Sequence, residues 1–172
     1  KCAALVGGDF WQSLQQITSV AAILPAAPDL IAASVAFKAR VVMADEHEQG
    51  QRQLLNFGHT IGHAVELLAD GQLMHGEAVA IGLVQVCRLF AAHGLAPTSL
   101  TSTLKARLMA VGLPTELPPI APQAVAAVMQ HDKKVHGTAL TWVYLSAVGQ
   151  PHLYPIAVTD LATWMGDLWS VS

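Results

Sequence analysis

Arg52, Asn56, His59 and His63 recur at helical spacing, and each can donate hydrogen bonds, bind an anion or coordinate a metal. At about 100° per residue the four fall within an arc of roughly 60°. Leu54, Leu55, Phe57, Ile61, Val65 and Leu68 take the other faces and can pack. Polar groups aligned on one face of an apolar helix demand partners if that face is buried. A solvated face with two surface histidines is the bland alternative, but such a face normally uses Lys and Glu, and this stripe has neither. Core histidines satisfied by hydrogen bonds are a second alternative. Gly58 and Gly62 each cost about 1 kcal/mol relative to Ala in a helix interior, which makes sense where another backbone or a ligand comes close.

His75 stands just before Gly76-Glu77 at the start of the next helix, and a short connection after Asp70 returns it beside the stripe. Neutral imidazoles suit zinc and similar metals, and a catalytic zinc usually keeps three protein ligands and one open position. Spacing alone selects the i, i+4 pair His59 and His63, plus His75. One of the three is equally suited to proton transfer. Glu77 fits a ligand, a partner of a ligand, or a first-turn acid complementing the helix dipole. Lys38 and Arg40 sit in an apolar helix, followed by Asp45, Glu46 and Glu48, and His131-Asp132-Lys133-Lys134 closes a later helix. Arg52, Lys38 and one of those lysines together could hold a carboxylate or phosphate through charge-assisted bonds. Individually, Lys38 and Arg40 read as surface side chains and the lysine pair as cations at a helix C-terminus.

The elements that must position these residues are mostly helical. A first helix is expected over Asp9 to about Val20, with Pro25 and Pro28 closing the connector after it. A second runs from Pro28-Asp29 towards Met43 or Ala44. Asp45 to Gln51 reads as a loop. A third helix spans about Arg52 to Ala69, ended by Asp70-Gly71. The fourth, from near Gly76 to Ala92, is apolar nearly all round and so belongs in the core. Thr98 or Ser99 can cap a fifth helix to Val111, Leu117-Pro118-Pro119 is irregular, and Pro122 to His131 forms a sixth. Ala139 to Leu145 and His152 to Ile156, around a turn at Val148 to Pro151, predict a small hairpin. A last helix covers Thr159 to about Leu168. The fold class is mainly α with one small β-hairpin.

At 172 residues the chain is long enough for one domain with a real core. Hydrophobic residues make up 53% and charged residues 12%, against roughly a quarter charged in an average soluble domain. Such a chain packs tightly or buries part of its surface against something else. The formal net charge of −3 and the lack of a basic run give no electrostatic footprint for nucleic acid. Ala78 to Val84, the longest apolar run, is interrupted by Gln85 and Arg88 and falls far short of the ~20 residues of a membrane span. Cys2 and Cys87 cannot build a secreted disulfide framework and read as free cytosolic thiols. The chain starts at Lys1 without an initiator Met, so residues upstream are expected to be missing.

Arg52, the block Leu55-Asn56-Phe57-Gly58-His59-Thr60-Ile61-Gly62-His63-Ala64-Val65-Glu66, and His75-Gly76-Glu77-Ala78-Val79-Ala80-Ile81-Gly82 come in that order. Gly112-Leu113-Pro114 and Asp132-Lys133-Lys134 follow before the hairpin. In this the chain resembles the C-terminal domain of the 3-dehydroquinate synthase family, along essentially its whole length. The resemblance implies a two-domain cytoplasmic homodimer whose N-terminal α/β domain binds NAD, while a helical C-terminal domain carries most of the metal and substrate site. It also implies a shikimate-pathway lyase that turns 3-deoxy-arabino-heptulosonate 7-phosphate into 3-dehydroquinate and phosphate. NAD would oxidise a ring hydroxyl transiently, the acidified neighbouring proton would leave, phosphate would be eliminated and the ketone reduced again, before ring opening and aldol closure.

Carried over by resemblance, His59 and His75 are ligands of a divalent metal, zinc or cobalt, and His63 becomes an acid/base or hydroxyl-binding residue. This overrules the i, i+4 choice. Glu48 takes a proton-transfer role; Arg52, Asn56, Lys38 and a lysine of the Lys133-Lys134 pair take substrate contacts. The family's third ligand is a Glu in an Ala-Glu-x-x-Lys segment, of which Lys1 resembles the Lys, so that Glu is expected upstream. The NAD domain is absent from this chain, and the isolated piece is expected to be inactive. Rival readings are a related cyclase making 2-deoxy-scyllo-inosose or a valiolone precursor, a metal-dependent alcohol dehydrogenase, and a non-catalytic helical fragment. The cationic set favours an acidic substrate over the first, and a dehydrogenase would accumulate NADH where a synthase regenerates NAD.

Overall fold

A helix apolar on every side is forced inward, and His75–Ala92 lies at the centre of the molecule. The computed structural model describes residues 1–48, 50–130, 135–136 and 138–170. Among these the helices are α1 (Cys2–Val6), α2 (Gly8–Gln15), α3 (Ile23–Ala44), α4 (His59–Leu68), α5 (His75–Ala92), α6 (Thr98–Ala110), α7 (Pro122–Gln130) and α8 (Leu161–Ser170). The strands β1 (Val135–His136), β2 (Ala139–Ala147) and β3 (Gln150–Ala157) make one antiparallel sheet in the order β1-β2-β3. The expected hairpin is β2-β3, with Leu140 opposite Ile156 and Val143 opposite Leu153. The short β1 extends it by a pair that the sequence pattern did not reveal.

The core joins α4, α5 and the hairpin. Ile61 and Val65 from α4 and Ile81, Leu89 and Phe90 from α5 are buried with Trp142 and Leu145 from β2 and Leu161 and Met165 from α8. Phe90 stacks on Tyr144 at 4.5 Å between ring centroids. The hairpin turn docks on α1, where Gly149 donates its N–H to the Ala4 carbonyl at 2.8 Å. Gly7, with φ +69°, stands so near that a Cβ there would meet Gly149 Cα at 2.9 Å.

Three expected boundaries are corrected. The first expected helix is α2, which ends at Gln15 rather than near Val20, and an unexpected short helix, α1, precedes it across Gly7. The second begins at Ile23, so Pro25 and Pro28 lie within it instead of closing a connector. Pro25 is the third residue, where an N–H has no intrahelical acceptor. Pro28 forfeits one bond, to the carbonyl of Leu24, close to a helix end. The third expected helix is broken: Gln51–Asn56 is a 3-10 turn, and α4 starts only at His59 after Gly58 in the left-handed region at φ +77°. Smaller differences are that Pro97, not Thr98 or Ser99, stands at the α6 cap position, and that the expected α7 end at His131 lies outside the described residues.

Among the described residues two helices are long and apolar enough to cross a membrane by length and composition. Counting unbroken apolar runs overlooked the one before and through α3, because an average over eighteen residues absorbs a charge such as Asp29 that ends a run. The α5 window, mean hydropathy 1.2, is a core helix with 67% of its residues buried. By contrast α3 buries only Val41 and exposes Leu24 at 81%, Ile31 at 61% and Met43 at 86%.

Cys2 and Cys87 are free, buried thiols. Burial pushes the Cys87 thiol up from its ordinary 9.0 to about 12. Its contribution to stability is therefore whole below pH 9.0 and is lost as the pH rises through about 12. Urea titrations across that range are expected to show an alkaline loss of stability that Cys87→Ala diminishes. A slope unchanged in the variant would refute this.

Candidate metal centre

Backbone proximity builds the site. A Cβ on Gly62 would lie 3.1 Å from Val79 Cα, and one on Gly58 would lie 2.8 Å from the Leu83 side chain. A Cβ on Gly82 would collide with the Gly58 carbonyl and sit 2.8 Å from Gly62 N. The glycines thus let α4 and α5 touch, as the costs of Gly58 and Gly62 suggested. That contact sets His59 and His63 of α4 against the first residue of α5, His75. The start of α5 is held by Glu77, whose carboxylate accepts the Met74 N–H at 2.8 Å. Glu77 thus caps the start of α5, a role beyond those expected of it and compatible with a first-turn acid.

One ligand atom from each of His59, His63 and His75 lies within 4.8 Å of the others. The ring centroids are 5.2 Å apart for His59–His63, 5.5 Å for His59–His75 and 5.6 Å for His63–His75. Nitrogens around a tetrahedral zinc stand roughly 3.3 Å apart, given bonds near 2.0–2.1 Å, so modest ring rotations close the set on one ion. Two rings are already oriented. His59 Nδ1 lies 3.2 Å from the Phe57 carbonyl and His75 Nδ1 lies 2.8 Å from Glu66 Oε2. In the tautomer with its proton on Nδ1, each ring donates to that oxygen and carries its lone pair on Nε2, the usual support of a metal-binding imidazole. Consistent with this, Lys1 Nζ approaches His59 Nε2 at 3.4 Å while donating to the Leu55 carbonyl at 2.7 Å.

The residues expected to hold an anion are carried by a 3-10 turn and a loop, not by the α4 face. Because Arg52 and Asn56 lie in a 3-10 turn of about three residues per turn, they do not continue the α4 face. The four-residue stripe is not a feature of the molecule. Instead Asp45 organises the loop, its Oδ2 accepting from Gly50 N at 2.7 Å and Arg52 N at 2.9 Å. Arg52 Nη1 donates to the Glu46 carbonyl at 2.6 Å, and Asn56 Nδ2 donates to Glu48 Oε1 at 2.9 Å. Glu48 holds φ +56°, an uncommon conformation for a residue with a side chain and one that collects at functional sites. Lys38 is exposed on α3, beside Val35 and Ile31 in a groove of about 460 Å³. Lys133 and Lys134 lie outside the described residues. Sequence reasoning assigned no role to Glu66 or Asp45, and it named Lys1 only as part of a resemblance. Glu66 was three residues after His63 in the motif, but which side chain meets His75 is a tertiary fact.

Residues 1–135 match the family model described as 3-dehydroquinate synthase C-terminal. The chain belongs to the 3-dehydroquinate synthase family. It is 99% identical over all 172 residues to a 3-dehydroquinate synthase of Lactiplantibacillus plantarum, covering 48% of that protein. A 3-dehydroquinate synthase of Latilactobacillus sakei is 52% identical over 162 residues, 94% of this chain and 44% of that protein. The chain spans about half the length of the curated relatives it matches, and the matching model is that of the C-terminal part. Two solved structures share the fold. A 2-deoxy-scyllo-inosose synthase complexed with carbaglucose-6-phosphate, NAD+ and Co2+ superposes with a TM-score of 0.78 at 24% identity, over 95% of this chain and 48% of that one. A 2-epi-5-epi-valiolone synthase from Streptomyces hygroscopicus with NAD+ and Zn2+ bound gives 0.81 at 18% identity, over 99% and 49%. The 3-dehydroquinate synthase C-terminal fold is thus the mainly helical domain with a small sheet expected from the sequence.

Proposed function

We propose that this chain is the metal- and substrate-binding half of a 3-dehydroquinate synthase. Joined to an NAD-binding α/β domain, it converts 3-deoxy-arabino-heptulosonate 7-phosphate to 3-dehydroquinate and phosphate in the shikimate pathway. The observation that carries the reading is the convergence of His59, His63 and His75 within 4.8 Å in a chain 99% identical to a protein of that name. The donors suit a divalent ion: three imidazoles, with Nδ1 of His59 and of His75 against an oxygen acceptor. His59 and His75 would hold zinc or cobalt, which would supply Lewis acidity at a substrate hydroxyl, and NAD on the other domain would supply reversible hydride acceptance.

The remaining chemistry belongs to the chain. His63, beside both ligands, is placed to move a proton at a hydroxyl. Glu48, its carboxylate oriented by Asn56, is placed to serve as a second proton carrier. Arg52 offers a planar, permanently charged fork for the carboxylate or phosphate, with Lys38, Asn56 and the Lys133-Lys134 pair around the same anionic substrate. Lys1, already beside His59, joins that set. The exposed apolar face of α3 is covered by the rest of the enzyme, which acts as a cytoplasmic homodimer.

Phosphate release by the full-length protein tests the proposal. Turnover is expected with the heptulosonate phosphate and not with glucose 6-phosphate, which lacks the carboxylate, and no NADH is expected to accumulate. Preference for the neutral sugar phosphate, or stoichiometric NADH, would overturn it. The isolated chain is expected to show no turnover.

A further inference from the structure

We infer that Glu66 is a positioning residue of the metal centre, which sets the tautomer and ring orientation of His75. The inference rests on the metal reading above and extends it to a residue outside the ligand set. Glu66 lies on α4, three residues after His63, and reaches across to the first residue of α5, with Oε2 at 2.8 Å from His75 Nδ1. His75 is the exposed member of the three, its side chain 55% accessible. An exposed imidazole on a helix start samples several rotamers and both tautomers. Only the tautomer with its proton on Nδ1 directs the Nε2 lone pair at an ion, and a carboxylate accepting from Nδ1 selects it. His59 receives the same service from the Phe57 carbonyl, a backbone group that no substitution removes. At His75 the service comes from a side chain, so here the device can be deleted.

An ordinary surface ion pair would also bring a Glu to a His, and such pairs contribute little. What separates this one is its place. The His75 ring stands 5.5 Å from His59 and 5.6 Å from His63, so the bond aims the ring into the cluster rather than away from it.

The test uses the full-length enzyme, with zinc affinity measured by chelator competition and the His75 tautomer read by ¹⁵N NMR of the metal-free protein. Wild type is expected to carry the His75 proton on Nδ1. Glu66→Ala is expected to weaken zinc binding by about 10–100-fold and to mix the tautomers. Glu66→Gln, whose amide oxygen still accepts from Nδ1, is expected to recover most of that affinity. The inference is overturned by an Nε2 proton in wild type, by Glu66→Ala binding zinc as wild type does, or by Glu66→Gln losing as much as Glu66→Ala. Should Glu66→Ala fail to fold, the tautomer and the Gln variant still decide. A wild type that takes up no zinc sinks the metal reading itself, a result distinct from normal zinc binding in the Ala variant.

Discussion

His59→Ala and His75→Ala, made separately in the full-length enzyme, are each expected to abolish stoichiometric zinc binding. Each should also lower kcat/KM by about a thousandfold or more, the scale lost with one strong electrostatic group. His63→Ala is expected to behave differently: zinc is retained, and kcat falls by about 10²–10⁴, the usual reach of general acid–base catalysis. The contrast matters because the three imidazoles converge almost symmetrically, with centroid separations of 5.2–5.6 Å. Nδ1 lies against an oxygen acceptor at His59 and at His75, the two imidazoles to which the proposal gives the ion. Metal analysis after dialysis, alongside steady-state kinetics, reads both outcomes. Zinc lost from His63→Ala and kept by His75→Ala would assign the ion to the i, i+4 pair instead.

Gly82→Ala is expected to cost more stability than any single methyl added elsewhere in the core. Overpacking a core usually costs 1–3 kcal/mol because side chains move aside. Here the new Cβ meets backbone, the Gly58 carbonyl and Gly62 N at 2.8 Å, and backbone cannot step aside without separating α4 from α5. The expected loss is at least about 3 kcal/mol, seen as a large fall in the urea midpoint or as insoluble protein. Gly76→Ala provides the control, since a Cβ there meets nothing within 4 Å, and its midpoint should stay near wild type. A Gly82→Ala protein with wild-type stability would show that the two helices do not touch as described. Zinc affinity should fall with the midpoint, because the same contact brings His75 to His59 and His63.

The sequence by itself determined the residue types that do the chemistry and the elements that carry most of them. Histidines at 59, 63 and 75, an apolar α5, a hairpin after residue 138 and glycines where backbones meet were all legible. Each is stated by local pattern: period, turn residues, or a residue cheaper to omit than to keep. Only the tertiary structure decided which element carries Arg52 and Asn56. A 3.6-residue period extrapolated upstream from His59 put them on one helix face. Left-handed Gly58, needed where α4 and α5 meet, breaks that helix and turns residues 51–56 into a 3-10 segment. Likewise, the prolines at 25 and 28 read as helix breakers, yet both fall near the start of α3, where lost donors cost least. The partnership of Glu66 with His75 spans nine residues and two helices, so no local rule could contain it. Local patterns record what each segment prefers by itself, whereas a binding site is made by which segments touch, and that is set by packing.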